Sequence, residues 1–287
     1  MIKDFIVLTK FVLSFAVSLS ALFAYIMAKG EMGLDMLLAT LSVLLVAMGV
    51  STLNQVQEYK SDAKMARTKH RPIASGKMSP KTGIIIAAVL IVLSMLLIYS
   101  LLGLTGVNIF MFAFIWYNAM YTPLKKKSAL AVIPGAILGV IPPAIGWLVA
   151  GHSLIELEFI SIAMYYFIWQ VPHFWLLVML FHGDYKDGGY PTAMRLFGQA
   201  SLQRLTFVWL MFTIQAGAFM VWAFQVYSVS LGVAILIGLW GFVSSFELLR
   251  DKFKLKDARS VFWKINAAFL ALVILISIDE YIKHHIS

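Results

Sequence analysis

The sequence predicts an all-α, polytopic membrane protein, a bundle of about nine transmembrane helices around a central cavity. Three observations predict it: an apolar composition, nine apolar runs of spanning length, and a strong bias of basic residues toward alternate loops. Of the 287 residues, 61% are hydrophobic and 13% charged, whereas soluble domains average roughly 45–50% and about 25%. A helix needs about 17–25 apolar residues to cross the hydrocarbon layer. Such runs extend from Phe5 to Met27, Leu34 to Val56, Gly83 to Gly103, Thr105 to Thr122, Ala129 to Ala150, Ile155 to Leu180, Leu202 to Phe224, Val226 to Leu248 and Phe262 to Tyr281. The first has a short charged start, as in a signal peptide, but it is long and lacks a clear small-residue cleavage site, so it is expected to be retained.

Counted by alternate sides, 21 of the 23 Lys and Arg fall on one side, and only Lys29 and Lys283 fall on the other. This asymmetry predicts a cell (inner) membrane protein with its amino terminus and basic loops in the cytoplasm, and an odd number of helices puts the carboxyl terminus outside. The net charge of +9 is therefore a topology signal, and no nucleic-acid partner is expected. The absence of cysteine excludes disulfides, thiolate metal sites, iron–sulfur clusters and cysteine nucleophiles. No repeat or long linker interrupts the chain, and residues 1–287 are expected to form a single membrane domain in a lipid bilayer.

The second helix runs into Ser51-Thr-Leu-Asn54-Gln-Val-Gln-Glu58-Tyr-Lys-Ser-Asp62. Steps of four advance a helix by about 400°, so Asn54, Glu58 and Asp62 share one face, about 6 Å apart along the axis. Two carboxylates and an amide oxygen at a membrane boundary suit a hard divalent cation such as Mg²⁺; ordinary boundary residues are the other reading. Lys64, Arg67, Lys69 and Arg71 follow at once. Arginine forks bind phosphate oxygens bidentately, which favours Arg67 and Arg71 as anion ligands, while cytoplasmic lysines commonly serve topology or lipid heads. A second acidic segment, His182-Gly-Asp184-Tyr-Lys-Asp187-Gly-Gly189-Tyr-Pro191, falls on the same side. Two acidic sites facing each other can hold more than one Mg²⁺ around a diphosphate, with Asp187 a further candidate ligand. A transporter is the alternative of a different class, but only Lys10, Glu247 and Asp279 fall near or inside helix ends, which supplies no charge path through the middle.

These motifs resemble the UbiA family of intramembrane prenyltransferases, whose first signature is Asn-x3-Asp-x3-Asp and whose second is an acidic motif in a later cytoplasmic loop. Within it the chain is similar to the members that farnesylate haem, on three blocks. They are Asp62-Ala-Lys-Met65-Ala-Arg67-Thr68-Lys-His-Arg71-Pro72 with Gly76; Tyr121-Thr122-Pro-Leu-Lys125-Lys126 leading to Pro134-Gly135, Pro142-Pro143 and Gly146-Trp147; and Trp169-Gln170-Val-Pro172-His173-Phe174 leading to Asp184-Tyr185, Gly189 and Pro191. Leu8-Thr9-Lys10 and Ala258-Arg259 with Phe262 extend the resemblance over essentially the whole chain. Two positions depart from the pattern: Glu58 stands where the family has Asp, and Gly183 stands where an acidic residue often precedes the Asp-Tyr pair.

The resemblance implies a Mg²⁺-dependent transfer of farnesyl from farnesyl diphosphate to a vinyl carbon of haem B, with a quinone-precursor ring as the alternative acceptor. It implies metal ligation by Asn54, Glu58, Asp62 and Asp184, and substrate contacts from Arg67, Arg71, Tyr121, Lys125, Lys126, Trp169, His173 and Tyr185. Haem-handling or terminal-oxidase assembly proteins are the partners it suggests. His173 keeps two readings, a haem contact or a packed histidine donating to the carbonyl that Pro172 leaves free. Pro142-Pro143 is either a structural kink or room for the porphyrin.

Overall fold

The computed structural model describes residues 2–250 and 252–286. They form thirteen α-helical segments: α1 (Ile2–Leu8), α2 (Phe11–Lys29), α3 (Leu34–Asp62), α4 (Pro80–Phe114), α5 (Thr122–Leu124), α6 (Val132–Ala136), α7 (Ile141–Val149), α8 (Leu157–Leu180), α9 (His182–Asp187), α10 (Ala193–Phe197), α11 (Gln199–Ala223), α12 (Ser228–Ser245) and α13 (Asp257–Ile286). No strand occurs among the described residues. Eight stretches are long and apolar enough to cross a membrane. One of them, Pro80–Leu124, has 45 residues, about 68 Å of helix at 1.5 Å per residue and twice the hydrocarbon thickness. It is broken at Gly103 (φ 57°, ψ −143°), a conformation open to glycine at little cost. Its two halves are the third and fourth of the nine expected spans, so the described residues supply nine crossings.

The boundaries differ from expectation where backbone geometry intervenes. The first apolar run is not one helix: Lys10 adopts a left-handed conformation (φ 48°, ψ 43°) that separates α1 from α2, although both sides of the break are apolar. The fifth run divides into α6, a 3₁₀ turn at Ile137–Gly139 and α7, which begins just before Pro142. Proline lacks the amide proton needed inside a helix and fits its first turn. Pro172 by contrast lies inside a continuous α8.

Helix α3 packs along α4, α8 along α11, α2 against α3 and α7, and α12 against α13, which returns to α2 so that its last turns lie beside Gly30 at the end of that helix. Large apolar side chains such as Leu93, Leu96, Tyr99, Leu104, Leu236 and Leu239 remain exposed, which suits lipid rather than water. The crossing of α2 and α7 is a backbone contact, since a Cβ at Gly146 would stand 2.0 Å from the Ala21 carbonyl oxygen. Neither backbone can yield as a side chain does. Gly146→Ala is therefore expected to destabilise the bundle by about 1–3 kcal/mol, the usual cost of overpacking, read as a lower unfolding midpoint in detergent; an unchanged midpoint would show that the helices separate freely.

Candidate active site

The last turns of α3 present the first motif as the spacing predicted. Asn54, Glu58 and Asp62 are only 1%, 4% and 2% exposed, so their polar atoms must find partners within the protein. Asn54 Nδ2 donates to Glu58 Oε2 at 3.0 Å and to Thr122 Oγ1 at 3.1 Å, and its Oδ1 accepts from Lys10 Nζ at 3.3 Å. Glu58 pairs with Lys125 Nζ at 2.6 Å and accepts from the Tyr190 hydroxyl at 3.0 Å. Asp62 pairs with Arg71 at 2.8 Å. Residues 54, 58 and 62 thus lie amid cations from three other parts of the chain.

The second motif docks on the first through the backbone, with the Arg67 amide donating to Asp184 Oδ1 at 3.4 Å. The Arg67 guanidinium sits 4.8 Å over the Phe181 ring, and Thr68 ties the turn by donating to the Asp62 carbonyl at 2.9 Å. Tyr185 and Tyr190 meet edge to face at 6.1 Å. Burial raises both phenol pKa values, and the nearby Glu58 charge raises that of Tyr190 further, so both remain hydroxyl donors at neutral pH. Burial, then the charges of Arg71 and Lys125, lowers the Lys10 ammonium to about 7. Lys126 is exposed and reaches the Gln57 carbonyl at 3.4 Å. Asp187 is exposed at the end of α9 and is not joined to this network.

The distant blocks of the sequence meet in space. Lys125 Nζ lies 5.6 Å from the Tyr121 ring, and that ring packs where a Cβ at Gly135 would come within 2.6 Å. Gln170 likewise fills the space beside Gly139. His173 is seven residues before the end of α8, about 10 Å deeper than the segment carrying Asp184. Its Nδ1 is bonded to Asn266 Oδ1 at 2.8 Å, so its partner is a side chain of α13 and not the carbonyl near Pro172. The ring lies 4.7 Å from Trp169 and 4.9 Å from Phe262, and Trp169 stacks on Phe269 at 4.0 Å. Trp169 Nε1 is buried without an acceptor. Beyond Trp169, an apolar cavity of about 730 Å³ lies between α8, α11, α12 and α13.

Sequence reasoning missed Lys10, Thr122, Tyr190 and Asn266 as members of the site. Thr122 and Tyr190 stand inside the motifs quoted above and Lys10 ends Leu8-Thr9-Lys10, whereas Asn266 lies a turn beyond Phe262. The donor set of Asn54, Glu58, Asp62 and Asp184 is all oxygen, which fits a hard divalent cation. Among the described residues no three His, Asp or Glu converge as a metal cage.

Residues 16–273 match the model of the UbiA prenyltransferase family. The chain is 31% identical to the protoheme IX farnesyltransferase of Flavobacterium psychrophilum, over 98% of this chain and 95% of that one. It is 28% identical to the protoheme IX farnesyltransferase of Nitratidesulfovibrio vulgaris, over 97% and 96%. In fold it is similar to digeranylgeranylglyceryl phosphate synthase, with a TM-score of 0.78, 14% identity and 98% of each chain covered. A UbiA homologue from Archaeoglobus fulgidus bound to GPP and Mg²⁺ gives a TM-score of 0.72 at 16% identity, over 95% of this chain and 99% of that one.

Proposed function

Because this chain belongs to the UbiA prenyltransferase family, we propose that it is a protoheme IX farnesyltransferase, moving the farnesyl group of farnesyl diphosphate onto a vinyl group of haem B to give haem O. One observation supports the placement of the reaction most directly: buried Glu58 and Asp62 pair with Lys125 and Arg71, and the amide of Arg67, five residues past Asp62, donates to Asp184. That mixture of carboxylates and cations is what a metal–diphosphate group requires.

Asn54, Glu58, Asp62 and Asp184 would hold Mg²⁺, which when bound supplies positive charge against the departing diphosphate. Arg71, Lys125 and Lys10 bind diphosphate oxygens, with Arg67 and Lys126 at the rim. Tyr185 and Tyr190 offer hydroxyl donors beside them. Cleavage of the allylic C–O bond leaves its electron pair on the diphosphate. The vinyl group of haem then attacks the farnesyl carbon to form the new C–C bond, and water captures the cation on the adjacent carbon and loses a proton, leaving a hydroxyethylfarnesyl substituent. The aromatic faces of Tyr121 and Trp169 stabilise positive charge, and the surrounding helices keep water from the farnesyl cation before the acceptor attacks. His173, two turns deeper than Asp184, contacts haem on this reading. The Lys and Arg asymmetry supports a bacterial-type inner-membrane orientation with the diphosphate site on the cytoplasmic side.

The test is incubation of the purified protein with farnesyl diphosphate, Mg²⁺ and either haem or 4-hydroxybenzoate, followed by product masses. Farnesylated, hydrated haem is the expected product. Prenylated benzoate with unmodified haem overturns the assignment in favour of a quinone-precursor ring.

A further inference from the structure

We propose that Asn266 is a positioning residue that fixes the tautomer of His173, holding the proton on Nδ1 so that Nε2 is presented as a bare nitrogen to the iron of bound haem. This rests on haem being the acceptor. Asn266 lies on α13, one turn past Phe262, and reaches across to α8. Its Nδ2 donates to the Phe262 carbonyl one turn earlier on its own helix. With the amide nitrogen committed, Oδ1 faces His173 Nδ1 at 2.8 Å. An amide oxygen only accepts, so Nδ1 must carry the hydrogen. The reversed amide would set its NH₂ against an imidazole forced to accept and its oxygen against the Phe262 carbonyl oxygen, losing one bond and creating a repulsion.

A neutral imidazole protonated on Nδ1 leaves an unshared pair on Nε2, and His173 Nε2 has no hydrogen-bond partner among the described residues. The ring does not rotate freely, because Trp169, Phe262 and the edge of Phe174 surround it at 4.7, 4.9 and 5.6 Å. The Nε1 of Trp169, one turn away, is likewise a buried polar group with no partner among the described residues. A histidine whose far nitrogen donates to an oriented oxygen is the usual form of a metal-bound imidazole, and loss of that outer partner commonly costs about 10–100-fold in affinity. Haem iron is the metal centre that this reaction brings to an apolar site two turns below the diphosphate.

The experiment is titration of ferric haem into the full-length protein in lipid nanodiscs, followed by the Soret band and electron paramagnetic resonance, with farnesyl diphosphate binding measured on each variant as a check of the fold. Wild type is expected to show nitrogen ligation that His173→Ala abolishes. Asn266→Leu should weaken haem binding about 10–100-fold while farnesyl diphosphate binding persists. Asn266→Asp keeps an acceptor for Nδ1–H and should restore ligation with a lower haem reduction potential, a change that mere packing does not produce. Wild-type affinity and spectrum in Asn266→Leu, in a protein that farnesylates haem, overturn this proposal alone. Failure of wild type both to bind and to farnesylate haem overturns it together with the functional assignment. Independently of any variant, ¹⁵N spectra of histidine-labelled wild type must show His173 protonated on Nδ1; protonation on Nε2 refutes the positioning role.

Discussion

Asp62→Ala is expected to lower haem farnesylation by at least about a thousand-fold, near 4 kcal/mol of barrier. Asp62 is 2% exposed and is the last member of the motif on α3. Its removal takes away a carboxylate that, on the proposed reading, holds Mg²⁺, and leaves Arg71, its partner at 2.8 Å, without a counterion in a half-buried position. Losing one partner of such a pair is more damaging than losing both. Asp184→Ala should fall in the same direction, because it removes both a carboxylate and the acceptor that docks the Arg67 amide. Product formation measured against Mg²⁺ concentration, on protein shown to insert normally, decides the matter. Near-normal turnover by both variants at limiting Mg²⁺ would remove these residues from the site.

Glu58→Gln is expected to cost activity almost as heavily, and Glu58→Asp much less, an asymmetry that separates charge from size. Glutamine keeps the volume and can still accept from Tyr190, now bonded to Glu58 at 3.0 Å, but it no longer neutralises Lys125 at 2.6 Å. Aspartate keeps the charge and shortens the reach by one methylene, which the flexible Lys125 stem can follow. For a Glu58 that holds Mg²⁺, the Gln variant needs more Mg²⁺ for half-maximal rate, or fails outright, and the Asp variant works at a modest deficit. An unchanged Mg²⁺ curve for Glu58→Gln would show that the position serves only structure.

The parts of the site legible from spacing alone are those written within one helix or one turn, whereas Lys125 and Tyr185 were named only through the family resemblance. Asn54, Glu58 and Asp62 repeat every four residues, so α3 alone sets them in line. Arg67 and Arg71 were legible because they follow that helix directly, and Gly103 already marked the joint between the third and fourth spans. The partners that complete the site are fixed by helix packing, which leaves no trace in local spacing. Tyr190 meets Glu58 across 132 residues, Asn266 meets His173 across 93 and Lys10 meets Asn54 across 44. The break at Lys10 was invisible for another reason: its flanks are equally apolar, and hydropathy carries no information about the sign of φ. Asp187 shows the reverse case, an acidic residue close in sequence to Asp184 that α9 leaves exposed.

The pairing of Glu58 with Lys125 and of Asp62 with Arg71 also bears on the order in which ligands load. Each carboxylate that turns to a divalent ion strands a cation, and each cation that turns to a diphosphate strands a carboxylate, so either ligand alone must break pairs without replacing them. Arriving together, they exchange every protein pair for a new one. The two binding equilibria are therefore linked with positive sign, and by reciprocity each tightens the other by the same factor. Dissociation constants for Mg²⁺ with and without diphosphate, and for diphosphate with and without Mg²⁺, must then change by equal ratios. A membrane enzyme wired in this way stays at rest when either ligand is scarce and holds its allylic substrate firmly only when the means to ionise it is at hand.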